Sequence, residues 1–265
     1  MNEYDPGNGV VIVKIGGSVL TFKEKFFEPR TEIIAQLAQE IKNALPRLGG
    51  LILVHGGGSF GHPVAAHYLL QKGYASNAPA IALTEVEDAM RKLNGIDEKG
   101  LARVGLPVFT VQTSAVARAR QGKLAEINTS FFSELLSLSL IPITYGSLIF
   151  DETLGYTIVS GDDISVKLAV GLGAKSLIFV SDVDGLYDRD PKIHPDAKLL
   201  RKVSLTRDHV IFGEVKDVTG GIRNKVENAG LAVSSGVAVR LINGLRRGNL
   251  YAALNGEDVG TEFIE

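Results

Sequence analysis

Short apolar runs rich in β-branched residues alternate along the chain with longer stretches whose apolar positions recur every three or four residues. Val10–Ile15 reads as a buried strand, and the spacing of Ile33, Ile34, Leu37, Ala38, Ile41 and Leu45 predicts a helix over Pro29–Leu45. Leu51–His55 is a second strand, followed by the glycine-rich turn Gly56–Gly61. Ile81–Val104 reads as a long helix with Leu83, Val86, Met90 and Leu93 on one face. A strand over Pro107–Val111, a helix over Ile127–Ser139 and a strand over Ile141–Tyr145 come next. Ser147–Phe150 and Tyr156–Val159, split by DETLG, read as a hairpin. The remaining pattern predicts a helix over Asp162–Leu172 stopped by Gly173, a strand over Ser176–Val180, a helix over Gly220–Ser235, a strand over Val237–Ile242 and a last helix over Leu245–Leu254. The first eight residues are polar and turn-rich and are expected to fray.

This alternation predicts an α/β fold, a three-layer αβα sandwich around a mostly parallel sheet covered on both faces. Ligands of such sheets bind beyond the carboxyl ends of the strands, where the glycine-rich turns fall here. No repeat, low-complexity tract or linker interrupts residues 1–265, which read as one domain with a soft division near 155–160.

Composition narrows the function. A net charge of −2 gives no basic excess for nucleic acid or an anionic membrane, so a bound anion must be held by a few placed cations and amides. The chain has no cysteine, which excludes disulfides, thiolate nucleophiles and Cys-ligated zinc and fits a reducing cytoplasm. MNEYDPGNG is not a signal peptide, and the longest apolar runs are too short to span a bilayer.

Five segments carry candidate chemistry. Lys14-Ile15-Gly16-Gly17-Ser18 sets a lysine near a strand end before two glycines, so that amides and a point charge can meet a phosphate. A tight strand exit beside a solvated lysine would look the same. His55-Gly56-Gly57-Gly58-Ser59-Phe60-Gly61-His62 spends conformational entropy on three glycines, which makes sense if something lies against the backbone. His62 is expected to open a helix there, where an anion is favoured; the plainer alternative is a surface histidine. His55 reads as structural and His67 as a surface residue. Gly56, Gly58 and Gly61 also match the dinucleotide fingerprint, but no strand ending in an acidic residue follows at the required distance. Ser160-Gly161-Asp162-Asp163 can cap a helix or supply Asp162 to orient lysines or magnesium between phosphates. Ser181-Asp182-Val183-Asp184-Gly185-Leu186-Tyr187 is either a nucleotide loop or an acidic surface turn. Asp217-Val218-Thr219-Gly220-Gly221-Ile222-Arg223-Asn224-Lys225 places a Gly-Gly pair at a helix start and a lysine shortly after, which suits phosphate. Neither a P-loop nor the protein-kinase set is present.

In this order the segments resemble the amino acid kinase superfamily over roughly residues 10 to 264. HGGGSFGH, with PVAAHYLL, ALTEVEDAMRKLN and DPKIHPDAKLL, is similar to the isopentenyl phosphate kinases within it. Sister kinases of carboxylates generally lack the histidine at position 62, and fosfomycin kinases share part of the pattern. The resemblance implies ATP-dependent conversion of isopentenyl phosphate to isopentenyl diphosphate, with magnesium, by a cytoplasmic homodimer binding neither nucleic acid nor membrane. It implies an acceptor-binding lobe at 10–158 and a nucleotide-binding lobe at 159–265. Lys14, Lys23, His62, Asp162 and Lys225 match the catalytic set, and Gly57, Gly58, His62 and Gly146 the acceptor side. Lys14, Gly16, Gly17, Ser18, Gly58, Ser181, Asp182, Asp184, Gly185, Tyr187, Gly221 and Lys225 match the ATP side, and no residue is singled out as a metal ligand. Two departures are Ser147, where the family often has Asp, and Arg223-Asn224, where relatives carry Gly or Lys. The alternatives are another kinase of the superfamily, acting on fosfomycin, a carboxylate or a nucleotide, and a non-catalytic anion-binding protein on the same fold. The apolar face of Leu83, Val86, Met90 and Leu93 either lines a slot for the acceptor's tail or is plain core.

Overall fold

The computed structural model describes residues 8–70, 79–189, 191, 193–205 and 220–265. The chain begins with β1 (Val10–Ile15), the single turn α1 (Gly17–Leu20), α2 (Thr31–Ala44), β2 (Gly50–His55), α3 (Gly58–His67) and the long α4 (Ala80–Arg103). Next come β3 (Val108–Thr110), the turn α5 (Thr113–Val116), β4 (Ala117–Arg120), β5 (Lys123–Ile127), α6 (Thr129–Ser137) and β6 (Ile141–Tyr145). The hairpin β7 (Ser147–Asp151) and β8 (Gly155–Val159) leads to α7 (Gly161–Leu172), β9 (Ser176–Ser181), β10 (Leu186–Tyr187), β11 (Leu199–Leu200) and β12 (Lys202–Ser204). The last elements are α8 (Gly220–Val233), β13 (Ala238–Asn243), α9 (Asn249–Leu254) and β14 (Thr261–Ile264).

Eight strands form the main sheet in the order β12-β14-β13-β9-β1-β2-β6-β3. All of its pairs are parallel except β13 with β14. The period of two along each strand sorts its side chains between two cores. Ile12, Ile52, Val54, Leu177 and Phe179 face one core with α6, α7 and α8, whereas Val11, Val13, Leu51, Leu53 and Ile178 face the other with α2 and α9. These are the three layers that the alternation predicts.

A second sheet, β5-β4-β7-β8, stands beside the main one. Only its β7–β8 hairpin is legible in the apolar pattern. β4 reads Ala-Arg-Ala-Arg with the alanines buried, an alternation carried by residues too small and too charged to look like a strand. The last helix starts at Asn249 rather than Leu245, because Gly248 at φ +89 turns the chain immediately before it. No helix among the described residues is long and apolar enough to cross a membrane.

Candidate active site

Parallel pairing brings the carboxyl ends of β1, β2, β6 and β9 to one edge, and the glycine-rich exits meet there around a cleft of about 630 Å³. Lys14, the penultimate residue of β1, is 95% hidden from solvent, its stem lying against Gly161 at the start of α7. Lys14 Nζ lies 2.8 Å from Asp162 Oδ1, and Lys225 Nζ lies 3.0 Å from Asp162 Oδ2. Asp162 is held in the first turn of α7, whose N-cap Ser160 accepts a bond from the Asp163 amide. Two ammonium groups on one carboxylate leave a net positive charge facing the cleft. Burial alone would raise the Asp162 pKa, but Lys14 and Lys225 outweigh it and hold the carboxyl below its usual range. Lys14 itself is pushed down, first by burial and then by Lys225, against the pull of Asp162.

The β1 exit and the β2 exit touch as bare backbone. A Cβ on Gly17 would fall 2.2 Å from the Gly58 nitrogen, and one on Gly58, at φ +48, would fall 2.3 Å from Thr21 Oγ1. The Thr21 hydroxyl donates to the Gly17 carbonyl and accepts from the Ser59 amide, which locks α1 to α3. The Gly57 and Gly58 amides are thereby fixed at the N-terminus of α3, where the helix dipole favours an anion. Gly146 lines the cleft from the other side and packs against the Gly161 backbone.

His62 also lines the cleft, but it does not open the helix as expected. The Gly57 carbonyl already accepts from the Phe60 and Gly61 amides, so α3 starts at Gly58 and His62 sits a turn inside it. Its ring is exposed at the cleft mouth, and burial of the inner edge together with the Lys14 charge holds its pKa below the usual imidazole value. His67 is exposed.

Gly16, Gly17, Ser18, Ser181 and Lys225 also line the cleft. Lys23, exposed on the segment after α1, reaches in to pair with Asp182 at 2.8 Å. Asp182 also takes a bond from Ser18, and these partners bring its pKa down against the effect of burial. Asp182, Asp184, Gly185 and Tyr187 are not among the lining residues. The Asp184 carboxylate is taken by Asn243 Nδ2 at 2.8 Å, Arg246 Nη2 at 2.6 Å and the Tyr187 hydroxyl at 3.2 Å, so it ties the loop after β9 to the loop after β13. Gly185 is buried against Thr261. Gly221 lies in the first turn of α8, and Asp217, Val218 and Thr219 lie outside the described residues.

The apolar face of α4 divides. Val86 and Met90 pack with Tyr145, Leu148 and Tyr156, and the partly buried Leu83 and Ile158 join them. Leu93 packs instead with Phe60 and Ala89. Ile158 also lines the cleft, so the first cluster adjoins it.

Several residues that the motifs did not single out shape this end. The Tyr145 hydroxyl donates to Gln112 Oε1 at 2.6 Å, while Gln112 Nε2 and the Ser147 hydroxyl both donate to Glu87. Ser147, where an Asp was the expected family residue, thus recruits a carboxylate from α4. Burial, and then Glu87, push the Tyr145 pKa to about 12. His55 is buried at the end of β2 and stacks on Tyr145 at 5.1 Å. The buried His55 agrees with its structural reading, but its partners could not be read from spacing, because they lie far apart in sequence and come from different layers.

The amino acid kinase family model matches residues 9–243. The isopentenyl phosphate kinase of Methanothermobacter thermautotrophicus is 34% identical over 94% of this chain and 97% of its own length. The isopentenyl phosphate kinase of Methanocaldococcus jannaschii is 33% identical over 96% of this chain and 98% of its own. A solved isopentenyl phosphate kinase structure superimposes with a TM-score of 0.83 at 30% identity, covering 96% of this chain and 99% of that one.

Proposed function

The chain belongs to the amino acid kinase family, and from that premise we propose that it transfers the terminal phosphoryl group of ATP to isopentenyl phosphate, giving ADP and isopentenyl diphosphate. The observation that carries the reading is the convergence of Lys14, Lys225, Lys23, His62 and the amides of Gly17, Gly57 and Gly58 on one cleft. The near-full-length likeness to isopentenyl phosphate kinases supports this acceptor over the alternatives.

A phosphate monoester carries about −1.5 to −2 charge at pH 7 and is already a nucleophile, so no strong base is needed. Its oxygen attacks the terminal phosphorus of ATP, and the bond to the ADP oxygen breaks. The obstacle is bringing two anions together, and positioning with charge stabilisation overcomes it. Lys14 and Lys225, oriented by Asp162, hold the transferring group from one side. Lys23 leaves Asp182 to meet charge that develops on the moving phosphoryl. A neutral His62 donates one N–H to the acceptor phosphate. Gly57, Gly58 and Gly146 lie on the acceptor side, and Ser18, Ser181, Gly221 and the Asp182 loop on the ATP side. Asp184, Gly185 and Tyr187 shape that loop from behind. The cluster of Val86, Met90 and Tyr145 takes the apolar tail.

The donor set fits a triphosphate, and magnesium would supply charge neutralisation between its phosphates. Among the described residues no group of three or more His, Asp or Glu could hold a metal ion, so the phosphates themselves would be its main ligands. The lobes 10–158 and 159–265, a homodimer and a cytoplasmic setting complete the proposal, and light scattering tests the dimer. ADP release with isopentenyl phosphate, fosfomycin, UMP and acetylglutamate offered separately tests the acceptor. Turnover is expected with isopentenyl phosphate, and preference for any other member would overturn the assignment.

A further inference from the structure

Behind the glycine turn runs a line of hydrogen bonds that the chemistry above does not use. His55 Nδ1 lies 3.1 Å from the Gly56 carbonyl oxygen, and His55 Nε2 lies 3.2 Å from Asn94 Oδ1. Asn94 Nδ2 donates to Thr110 Oγ1 at 2.8 Å, and that hydroxyl donates to Glu98 Oε2 at 2.8 Å. Asn94 and Glu98 are one turn apart on α4, Thr110 ends the edge strand β3, and Glu98 is half-buried where the line nears the surface.

The hydrogens along this line do not balance in the ordinary protonation state. With Glu98 ionised, Thr110 must donate to it, Asn94 must donate to Thr110, and Asn94 Oδ1 is left to accept from His55 Nε2. A neutral imidazole then has no hydrogen on Nδ1, and a lone pair faces the Gly56 carbonyl. With the hydrogen on Nδ1 instead, Nε2 must accept, so Asn94 turns its amide round. Thr110 then donates to Asn94, and Glu98 must be protonated. Both complete arrangements carry one proton more than a neutral histidine and a carboxylate. Across the planar trans peptide, the Gly57 N–H points opposite to the Gly56 carbonyl. Gly56 and Gly57 both line the cleft, and the Gly57 amide donates to no acceptor among the described residues.

We propose that His55, Asn94, Thr110 and Glu98 form a one-proton relay that completes itself when anions enter the cleft, clamping the Gly56 carbonyl so that the Gly57 amide is aimed at phosphate. His55 is a positioning residue in this scheme, and the proton comes from solvent by way of Glu98. The groups around its ring are Lys14 from β1, Tyr145 from β6 and Asn94 from α4, with Asp162 of α7 paired to Lys14 behind them. Burial, with Lys14 adding to it, lowers the His55 pKa to about 4, against the pull of Gly56 and Asn94. An anion held by the Gly57 amide fixes the Gly56–Gly57 peptide plane, so the Gly56 carbonyl keeps its lone pairs on His55 Nδ1 and favours a hydrogen there. The inference rests on phosphate binding in this cleft, not on the identity of the acceptor.

The test compares inorganic pyrophosphate binding by the wild-type protein and Glu98→Gln, by calorimetry, between about pH 5 and pH 7. The glutamine amide supplies the missing hydrogen, so a neutral His55 completes the line without taking up a proton. The wild-type Kd should rise with pH more steeply than that of the variant, by up to about tenfold per pH unit, the slope of one linked proton. The ligand's own titration is common to both proteins and cancels. Equal slopes in two proteins that both bind would overturn the relay alone, whereas no binding heat in either would remove the cleft assignment and the relay with it. ¹⁵N spectra of His55 in the wild-type protein give a second reading that needs no variant. A ring that becomes doubly protonated, or moves its hydrogen to Nδ1, on pyrophosphate saturation supports the relay, and an unchanged ring overturns it.

Discussion

Asp162 illustrates how a single carboxylate can prepare a site for anions. Removing one partner of a buried ion pair leaves the other charge uncompensated, at about 3–5 kcal/mol. Asp162→Asn should therefore lower the melting temperature of the free protein markedly. Saturating ATP should restore most of that loss, since phosphate oxygens then meet Lys14 and Lys225; differential scanning calorimetry with and without nucleotide measures both. His62 is different, because it stands exposed at the mouth and supports little of the fold. His62→Ala should cut turnover with phosphate acceptors by about 10²-fold, the scale of a lost transition-state donor, while ATP affinity stays within a factor of a few. Asp97 makes a stability prediction away from the cleft. It is buried, one of its carboxyl oxygens finds no hydrogen-bond partner, and burial pushes its pKa up to about 7. The folded state therefore keeps a proton that the unfolded chain releases near its ordinary carboxyl pKa. Stability is greatest below that value and is lost as pH rises towards 7. Unfolding curves of Asp97→Asn should lack this decline.

Among the elements, the turns after β1 and β2 carry the most precise geometry. Gly17→Ala would drive a methyl into the Gly58 backbone, and neither strand exit can yield without moving the other. A displacement of about 1 Å at reacting groups costs on the order of 10²-fold in rate, so kcat/KM should fall at least that far while far-ultraviolet circular dichroism is unchanged. Of α4, Val86 and Met90 face the apolar cluster beside the cleft. Val86→Phe should shift preference among isoprenoid phosphates of different chain length, read from competing acceptors. Sequence made these elements unequally legible. β1, β2, β6 and β9 are long apolar runs, and the glycines after them announce close approach to something. The start of α3 falls four residues before His62 because Gly57, a poor helix former by propensity, caps the helix through its carbonyl and Gly58, at φ +48, is held in place by the lock at Thr21. The relay from His55 to Glu98 was invisible, since its members come from β2, α4 and β3 and are joined only by folding.

At the scale of the molecule, the family's chemistry rests on where the strand ends meet. Strands from before residue 159 make up one side of the main sheet and strands from after it the other, joined at β1 and β9 by five registered pairs. Alternation of strand and helix was enough to infer this plan. The second sheet was half hidden, because β4 and β5 owe their strands to partners rather than to their own apolar content.

The unbroken seam between β1 and β9 has a mechanical consequence. The two halves of the cleft stand on a single hydrogen-bonded floor, so hinging one half against the other would have to break or shear the five pairs of that seam. Among the described residues, the strip bearing Lys23, tied to Asp182, and the small second sheet lie outside that seam and can shift without breaking it. Rate limitation by these light, local movements would leave turnover sensitive to mutations on the strip and indifferent to a covalent tether across the floor.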